Sequence, residues 1–293
     1  QVLDVRGRLF LIDCGEGAQR QFCRQHLSFE RVDAIFISHI HGDHIFGLFG
    51  LLSTLGLATR RAGIRIFGPN SLGPVLKFFL SYFGEQLGIT IDFTPVKAKS
   101  PEVIFENKFL TVEAFPLNHR IETYGYLFRE KTPQLNVRKA AIEEYGLGIA
   151  EICSLKNGED LVRTDDDGSP ELRVPNEELT SLPYRPRAFA YCSDTAPFPE
   201  LPTWVRDVDL LYHETTYMAG LEKEAAARYH STTLQAAQCA LNAGAGKLIA
   251  GHYSSRYRDT AALLAELRSV FPNSFAANDG DVFDVPLDKR AEQ

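Results

Sequence analysis

Short apolar runs separated by polar turns divide the chain into strands and helices. Residues 1–5, the turn Arg6-Gly7-Arg8 and residues 9–12 read as a strand, a tight turn and a second strand. Folds seldom start inside a hairpin, so this opening implies a further strand upstream. Apolar runs at 34–37, 64–67 (closed by Gly68-Pro69), 89–93, 103–105, 110–115, 124–128, 188–192, 209–213 and 247–252 predict further strands. Residues 45–57, 74–83, 221–229, 233–244 and 260–271 carry helical periodicity. Strands alternate with helices in places and follow one another directly in others. That mixture predicts mixed sheets with helices outside, not a purely doubly wound sheet.

From 130 to 186 the pattern changes. Apolar density falls, glycines and prolines are scattered through it, and the acidic run Asp165-Asp166-Asp167-Gly168 interrupts it. A helix over 137–145 is predicted there, and the remainder reads as an excursion from the core. No internal repeat or low-complexity segment stands out.

The 293 residues are 44% hydrophobic and 24% charged, enough to build a large core and too apolar for a disordered chain. One domain over 1–293, with 130–186 inserted, is the expected organisation. The most apolar stretch, 45–57, is shorter than the ~18 residues of a membrane span and is broken by Gly47, Gly50, Ser53, Thr54 and Gly56. No secretory signal pattern opens the chain. Five scattered cysteines without a Cys-x-x-Cys pair exclude a disulfide framework and a thiolate zinc knot. Both features predict a cytoplasmic protein without membrane association. The net charge of −7 is unlike that of a general nucleic-acid coat, so any RNA contact needs a local basic patch or bound cations.

The candidate chemistry concentrates in Ser38-His39-Ile40-His41-Gly42-Asp43-His44, between a strand and a helix. Three imidazoles and a carboxylate in one short loop are the usual donors for a divalent metal such as zinc. His39 and His41, two residues apart in extended chain, point the same way. Asp43 and His44 turn into the helix and address a second point, so one loop can feed two ions. Further ligands must come from other strand ends. His119 follows the strand at 110–115, Asp194 that at 188–192, and His252 that at 247–250. Together with the loop they make two sites sharing Asp194.

His-x-His-x-Asp-His followed by a distant His, Asp and His resembles the metallo-β-lactamase superfamily. More narrowly, the chain is similar to the ribonuclease Z family of tRNA 3′-processing endonucleases. The narrowing rests on Asp13-Cys14-Gly15-Glu16-Gly17-Ala18-Gln19, His39 to Gly50, His213-Glu214-Thr215-Thr216, His230-Ser231-Thr232 and Gly251-His252-Tyr253-Ser254-Ser255-Arg256-Tyr257. The resemblance runs from residue 2 to about residue 272. It implies an αβ/βα sandwich of two mixed sheets with outer helices and a protruding arm. It implies two zinc ions per subunit, with manganese or another divalent metal as the alternative. His39, His41 and His119 would hold one, Asp43, His44 and His252 the other, and Asp194 would bridge them. It also implies a homodimer, in which one subunit's arm reaches RNA held by the other.

Two divalent ions ~3.5–4 Å apart suit hydrolysis of a phosphodiester by a bridging water. The expected products are a 3′-hydroxyl on the tRNA and a 5′-phosphate on the trailer. Asp43 is the candidate general base, and His230 oriented by Glu214 the candidate proton donor. Asp13 and Glu16 are candidates for supporting the ligand histidines, and Arg256 either contacts phosphate or pairs with a carboxylate. The segment 130–186 stands where ribonuclease Z carries its arm, and Lys131, Arg138 and Lys139 are candidate contacts to the tRNA backbone. Gly146-Leu147-Gly148-Ile149 replaces the family's Gly-Pro-rich arm motif. The aromatics at 124–128 and Phe78, Phe79, Tyr82 and Phe83 read as core or subunit interface. Two alternatives stand beside this reading: a small-molecule phosphodiesterase or arylsulfatase-like hydrolase on the same fold, and an inactive RNA-binding paralogue.

Overall fold

A computed structural model describes residues 1–58, 63–165, 167–168 and 170–288, so Asp166 of the acidic run lies outside the described residues. The chain divides into two compact units, one of Gln1–Arg129 and Ala188–Phe283, the other of Glu130–Arg187 and 284–288.

In the larger unit the chain begins with β1 (Val2–Val5) and β2 (Arg8–Ile12), an antiparallel hairpin turning through Arg6 and Gly7 at positive φ. Helix α1 (Ala18–Arg24) follows, then β3 (Val32–Phe36), the short α2 (Gly42–Ile45), α3 (Leu48–Ala58), β4 (Gly63–Pro69), α4 (Leu72–Phe83) and β5 (Thr90–Val96). These strands form one sheet in the order β1-β2-β3-β4-β5, parallel from β2 to β5. The helix predicted over 45–57 is two helices, broken at Phe46-Gly47.

Next come β6 (Glu102–Glu106), β7 (Leu110–Pro116) and β8 (Tyr124–Glu130), after which the chain enters the smaller unit. There β9 (Asn136–Val137), α5 (Lys139–Tyr145), α6 (Ile149–Lys156), β10 (Leu161–Thr164), β11 (Pro170–Val174), α7 (Asn176–Leu179) and β12 (Thr180–Ser181) follow in turn. β9 pairs with β12, and β10 with β11 in a hairpin. This unit has a core of its own, made by Ala141, Leu147, Leu155, Leu161, Val174 and Leu179. Gly146, at φ 56°, ends α5, and the Gly148 amide donates to Glu151 Oε2 at 2.8 Å to start α6. Gly-Leu-Gly is thus a helix-to-helix turn with Leu147 in the small core. Several cations here hold the fold: Arg163 binds Glu151 and the Tyr145 carbonyl, Arg173 binds Asp160, and Arg187 forks onto Glu130.

Back in the larger unit, β13 (Ala188–Cys192), α8 (Leu201–Trp204), β14 (Leu210–Glu214), α9 (Glu222–Arg228), α10 (Thr233–Ala243), β15 (Leu248–Gly251), α11 (Ala261–Val270) and β16 (Ser274–Ala276) complete a second sheet. Its order is β16-β15-β14-β13-β8-β7-β6. β13 to β16 are parallel, and β8 joins β13 antiparallel.

Both faces of the central strands are buried, so side chains alternate between two cores. Between the sheets Phe10, Phe36 and Phe67 of the first meet Phe105, Tyr126 and Phe128 of the second, with ring centroids 5.2–6.0 Å apart. On the outer face of the first sheet Leu9, Leu11, Val32, Ile35 and Ile37 pack with Leu48, Leu51, Leu52 and Leu55 of α3. On that of the second, Ala188, Ala190 and Ala250 meet Ala236, Ala237, Ala240 and Ala243 of α10, small residues that allow close approach. The result is the αβ/βα sandwich. Among the described residues no helix is long and apolar enough to cross a membrane. Of the aromatic cluster on α4, Phe79 packs against the core, whereas Phe78, Tyr82 and Phe83 are exposed. They are therefore not core residues.

Candidate metal centre

The strand ends converge. The loop after β3 carries His39 and His41, the short α2 carries Asp43 and His44, the exit of β13 carries Asp194, and β15 ends directly at His252. His119 lies in the loop after β7. The same rim receives Asp13 from β2 and Glu214 from β14. Carboxyl ends of parallel strands are where open sheets leave room for a site.

Close backbone packing holds the histidine loop in place. The Cys14 amide donates to the His44 carbonyl at 2.7 Å, and the Gly47 amide to the Cys14 carbonyl at 2.9 Å. A Cβ on Gly15 would come 2.1 Å from the Asp43 carbonyl oxygen, and one on Gly47 would come 2.0 Å from that of Gly15. Only glycine fits either position. That accounts for the Asp-Cys-Gly block and for the helix break after Phe46. Opposite, the Asn118 amide binds Thr195 Oγ1, and the Ala196 amide binds the Asn118 carbonyl, fixing the His119 loop to the Asp194 loop.

Seven side chains meet in two sets. In one, His41 Nδ1 lies 2.9 Å from His39 Nε2 and 3.4 Å from His119 Nε2, and Asp194 Oδ2 lies 3.6 and 3.8 Å from the same two Nε2 atoms. In the other, His44 Nε2 and His252 Nε2 lie 3.6 and 3.5 Å from Asp43 Oδ2, and 3.5 and 3.3 Å from Asp194 Oδ1. Asp194 thus offers one oxygen to each set. Donors around a tetrahedral zinc at bond lengths of ~2.0–2.1 Å sit about 3.3–3.4 Å apart, close to these spacings. Among the described residues, the buried side-chain atoms without a hydrogen-bond partner are His44 Nε2 and Asp194 Oδ1. Orphaned buried polar atoms are costly, and both of these point at the same place. The donor set fits a divalent metal pair.

Four of the imidazoles are oriented through Nδ1, which leaves Nε2 for the cluster. His44 Nδ1 donates to Asp13 Oδ2 at 2.8 Å. His39 Nδ1 reaches Ser38 Oγ at 3.0 Å, and that hydroxyl donates to Asp13 Oδ2 at 2.8 Å. His119 Nδ1 donates to the Tyr229 carbonyl at 3.0 Å. His252 Nδ1 reaches Thr216 Oγ1 at 2.9 Å. Asp13, Tyr229 and His252 all have left-handed φ near 55–61°. Such backbone costs ~1–3 kcal/mol per residue and collects at functional sites.

Burial pushes the Asp13 carboxyl up, but His44 beside it and the bonds from Ser38 outweigh this and bring it to about 2. Burial drives His39 down to about 2 and lowers His119, so both are neutral with lone pairs available. Burial also opposes charge on His44 and His252, yet the neighbouring carboxylates win. His44 is raised, and His252 is raised to about 9. The bond from His252 holds Asp43 below the usual carboxylate range. The second set therefore attracts positive charge, which a dication supplies.

Glu214 is fully buried and accepts from the Thr195, Ser231 and Thr216 amides, Thr216 Oγ1 and His230 Nδ1 at 2.7–3.1 Å. Burial raises its carboxyl, but the bond from His230 and the other donors lower it overall. His230 stacks 5.5 Å from the His252 ring and meets the His119 ring at a tilt, 5.3 Å away. It is also within ligand range of Asp194 and His252. Thr232 caps α10 through a reciprocal pair with Gln235, which explains the His-Ser-Thr element as a helix start. Arg256 lies 5.0 Å over the Tyr217 ring and bonds Ser254 Oγ. Tyr217 in turn sits 6.2 Å from His230. Lys131, Arg138 and Lys139 belong to the smaller unit, where Arg138 Nε donates to the Thr180 carbonyl. Glu16 is exposed.

Tyr191 is a site residue that the sequence alone did not single out, and Ser38 and Thr216 stand in the quoted motifs without a role read from them. Tyr191 OH donates to Asp13 Oδ2 at 2.7 Å. A tyrosine inside an apolar strand must place its hydroxyl, and that was the available signal.

Human tRNase Z, short form, superposes over 97% of this chain and 91% of its own at a TM-score of 0.68 and 23% identity. The metallo-β-lactamase fold protein YhfI from Bacillus subtilis superposes over 97% of this chain and 90% of its own at 0.65 and 16% identity. The chain has the metallo-β-lactamase fold, with a donor cluster fit for metal at its strand ends. In sequence, the chain is 42% identical over 279 residues to ribonuclease Z of Porphyromonas gingivalis, covering 95% of this chain and 90% of the relative. The chain belongs to the ribonuclease Z family. The family model of the anti-Pycsar protein Apyc1 matches residues 1–132, a stretch that ends before Asp194, Glu214, His230 and His252.

Proposed function

We propose that this chain is a zinc-dependent endoribonuclease that removes 3′ trailers from tRNA precursors, acting as a homodimer in the cytoplasm. The observation that carries the mechanism is Asp194, whose two carboxylate oxygens face two separate sets of imidazoles. His39, His41 and His119 would hold one ion and Asp43, His44 and His252 the other, and Asp194 would offer one oxygen to each. When bound, the two ions lower the pKa of water and neutralise phosphate oxygens.

Asp43, with a side chain 67% exposed, accepts the proton of the attacking water. His230 gives its proton to the leaving 3′-oxygen. Glu214 accepts Nδ1–H, so the proton delivered is the one that Nε2 carries in the doubly protonated ring, whose charge the buried carboxylate balances. Arg256, supported on Tyr217, steadies the phosphate. Lys131, Arg138 and Lys139 hold the tRNA backbone as part of the arm at 130–186. Phe78, Tyr82 and Phe83 form an apolar face fit for a subunit contact.

Incubation of a tRNA precursor with the protein, with and without chelator, tests this reading. Cleavage ends with chelator and returns with added zinc, leaving a 3′-hydroxyl on the tRNA and a 5′-phosphate on the trailer. A 2′,3′-cyclic phosphate product overturns the water-attack chemistry. Restoration by manganese and not by zinc reassigns the metal. Sedimentation at the assay concentration reads the dimer directly.

A further inference from the structure

We propose that Thr216 is a positioning residue for one of the two metal sites, working as a hydroxyl relay between Glu214 and the ligand His252. This rests on the assignment of His252 as a ligand above and goes beyond it. Thr216 Oγ1 lies 2.7 Å from Glu214 Oε2 and 2.9 Å from His252 Nδ1. A carboxylate accepts only, so the hydroxyl proton goes to Glu214 and the hydroxyl oxygen accepts Nδ1–H from His252. That fixes the His252 tautomer and leaves its Nε2 lone pair facing Asp194 and Asp43, 3.3 and 3.5 Å away.

Thr216 also holds the backbone that carries His252. The Ser254 amide donates to the Thr216 carbonyl at 3.2 Å, and His252 itself sits at φ 58°. A left-handed non-glycine residue persists only where its surroundings over-determine it. Neighbouring Thr215 adds its amide and hydroxyl, both bonded to the Gly251 carbonyl. The other set of histidines leans on different partners, His39 on Ser38 and His119 on the Tyr229 carbonyl. Loss of the Thr216 hydroxyl therefore weakens one site and leaves the other alone. It also leaves the direct bond between Glu214 and His230 in place.

The test is zinc stoichiometry and affinity by chelator competition on the full chain, for the parent, Thr216→Val, Thr216→Ala and Thr216→Ser. Orienting partners of ligand histidines are worth ~10–100-fold in metal affinity. The expected result is two ions in the parent, with the affinity for one reduced about 10–100-fold in T216V and T216A and restored in T216S. The alanine variant covers the case in which valine disturbs packing, and thermal melts of each variant report folding. Two ions held by folded T216V and T216A as tightly as by the parent overturn the Thr216 assignment alone. Equal weakening of both ions overturns it too, because the hydroxyl touches His252 and, at 3.3 Å, His230 Nδ1, but no donor of the other set. A parent that holds fewer than two ions overturns the metal reading and this one with it.

Discussion

Asp13 and Glu214 both stand behind the cluster with the same wiring. Each is buried, each binds one imidazole Nδ1 directly, and each reaches a second through a hydroxyl. The difference lies in what they support. Asp13 serves His44 and, through Ser38, His39, one histidine from each donor set. Glu214 serves His252 through Thr216, and its direct partner is His230, the proposed proton donor. On the proposed assignments one carboxylate supports metal ligands alone, while the other divides its hydrogen bonds between a ligand and the proton donor. The same two-armed motif would then make a structural joint in one place and a catalytic one in the other, according to which imidazoles lie within reach.

The widest break in this comparison comes from Asp13. Asp13→Ala strands buried donors from Ser38, His44 and Tyr191 at once. Removing one partner of a buried charged network costs about 3–5 kcal/mol. The expected outcome is a lower Tm together with loss of affinity for both ions, read by chemical denaturation and metal analysis. Retention of both ions at parent affinity refutes the shared-joint reading. Glu214→Gln comes next. It keeps the volume but removes the charge that steadies His230 and turns one of the two acceptor oxygens into a donor, so the side chain can no longer accept from His230 and Thr216 together. Turnover is expected to fall by ~10²–10⁴, the range for general acid–base catalysis, with one ion loosened and the other unchanged.

His230→Ala separates the two duties. It leaves the Thr216 relay in place, so metal content should match the parent while kcat falls by ~10²-fold or more. The loss should be smaller than in Glu214→Gln, where both duties fail. Zinc loss in His230→Ala instead reassigns His230 as a ligand, an outcome its closeness to Asp194 and His252 makes worth measuring.

The sequence exposed the two joints unevenly. The histidine loop is readable because four donors fall within six residues. His119, Asp194 and His252 are readable as polar residues at the exits of apolar strands. Ser38 and Thr216 are not, because hydroxyl residues are common and a hydroxyl's role depends on partners that only folding brings near. Asp13 and Tyr191 meet across 178 positions of chain. Secondary structure shows the same contrast. Strands buried on both faces announce themselves, whereas α1 buries only Phe22 and α6 only Leu155, too little for a periodic signal. The small core in 130–187 was hidden for that reason, its apolar residues being spread across five short elements and the turn at Leu147.

The smallest expected effect lies away from both joints. Most arginines of the smaller unit are engaged within it: Arg163 with Glu151, Arg173 with Asp160 and Arg187 with Glu130. Substituting these should disturb folding before it disturbs RNA binding. Lys139 is exposed at the start of α5 and can meet a phosphate without first breaking an internal pair. If it contributes one phosphate contact, Lys139→Ala should weaken tRNA binding only several-fold. It should also reduce the slope of log K against log salt by about 1, or somewhat less on single strands. Neither kcat nor metal content should change, because neither carboxylate joint is touched. A lowered kcat at saturating RNA would show that the arm positions substrate for chemistry and does more than hold it.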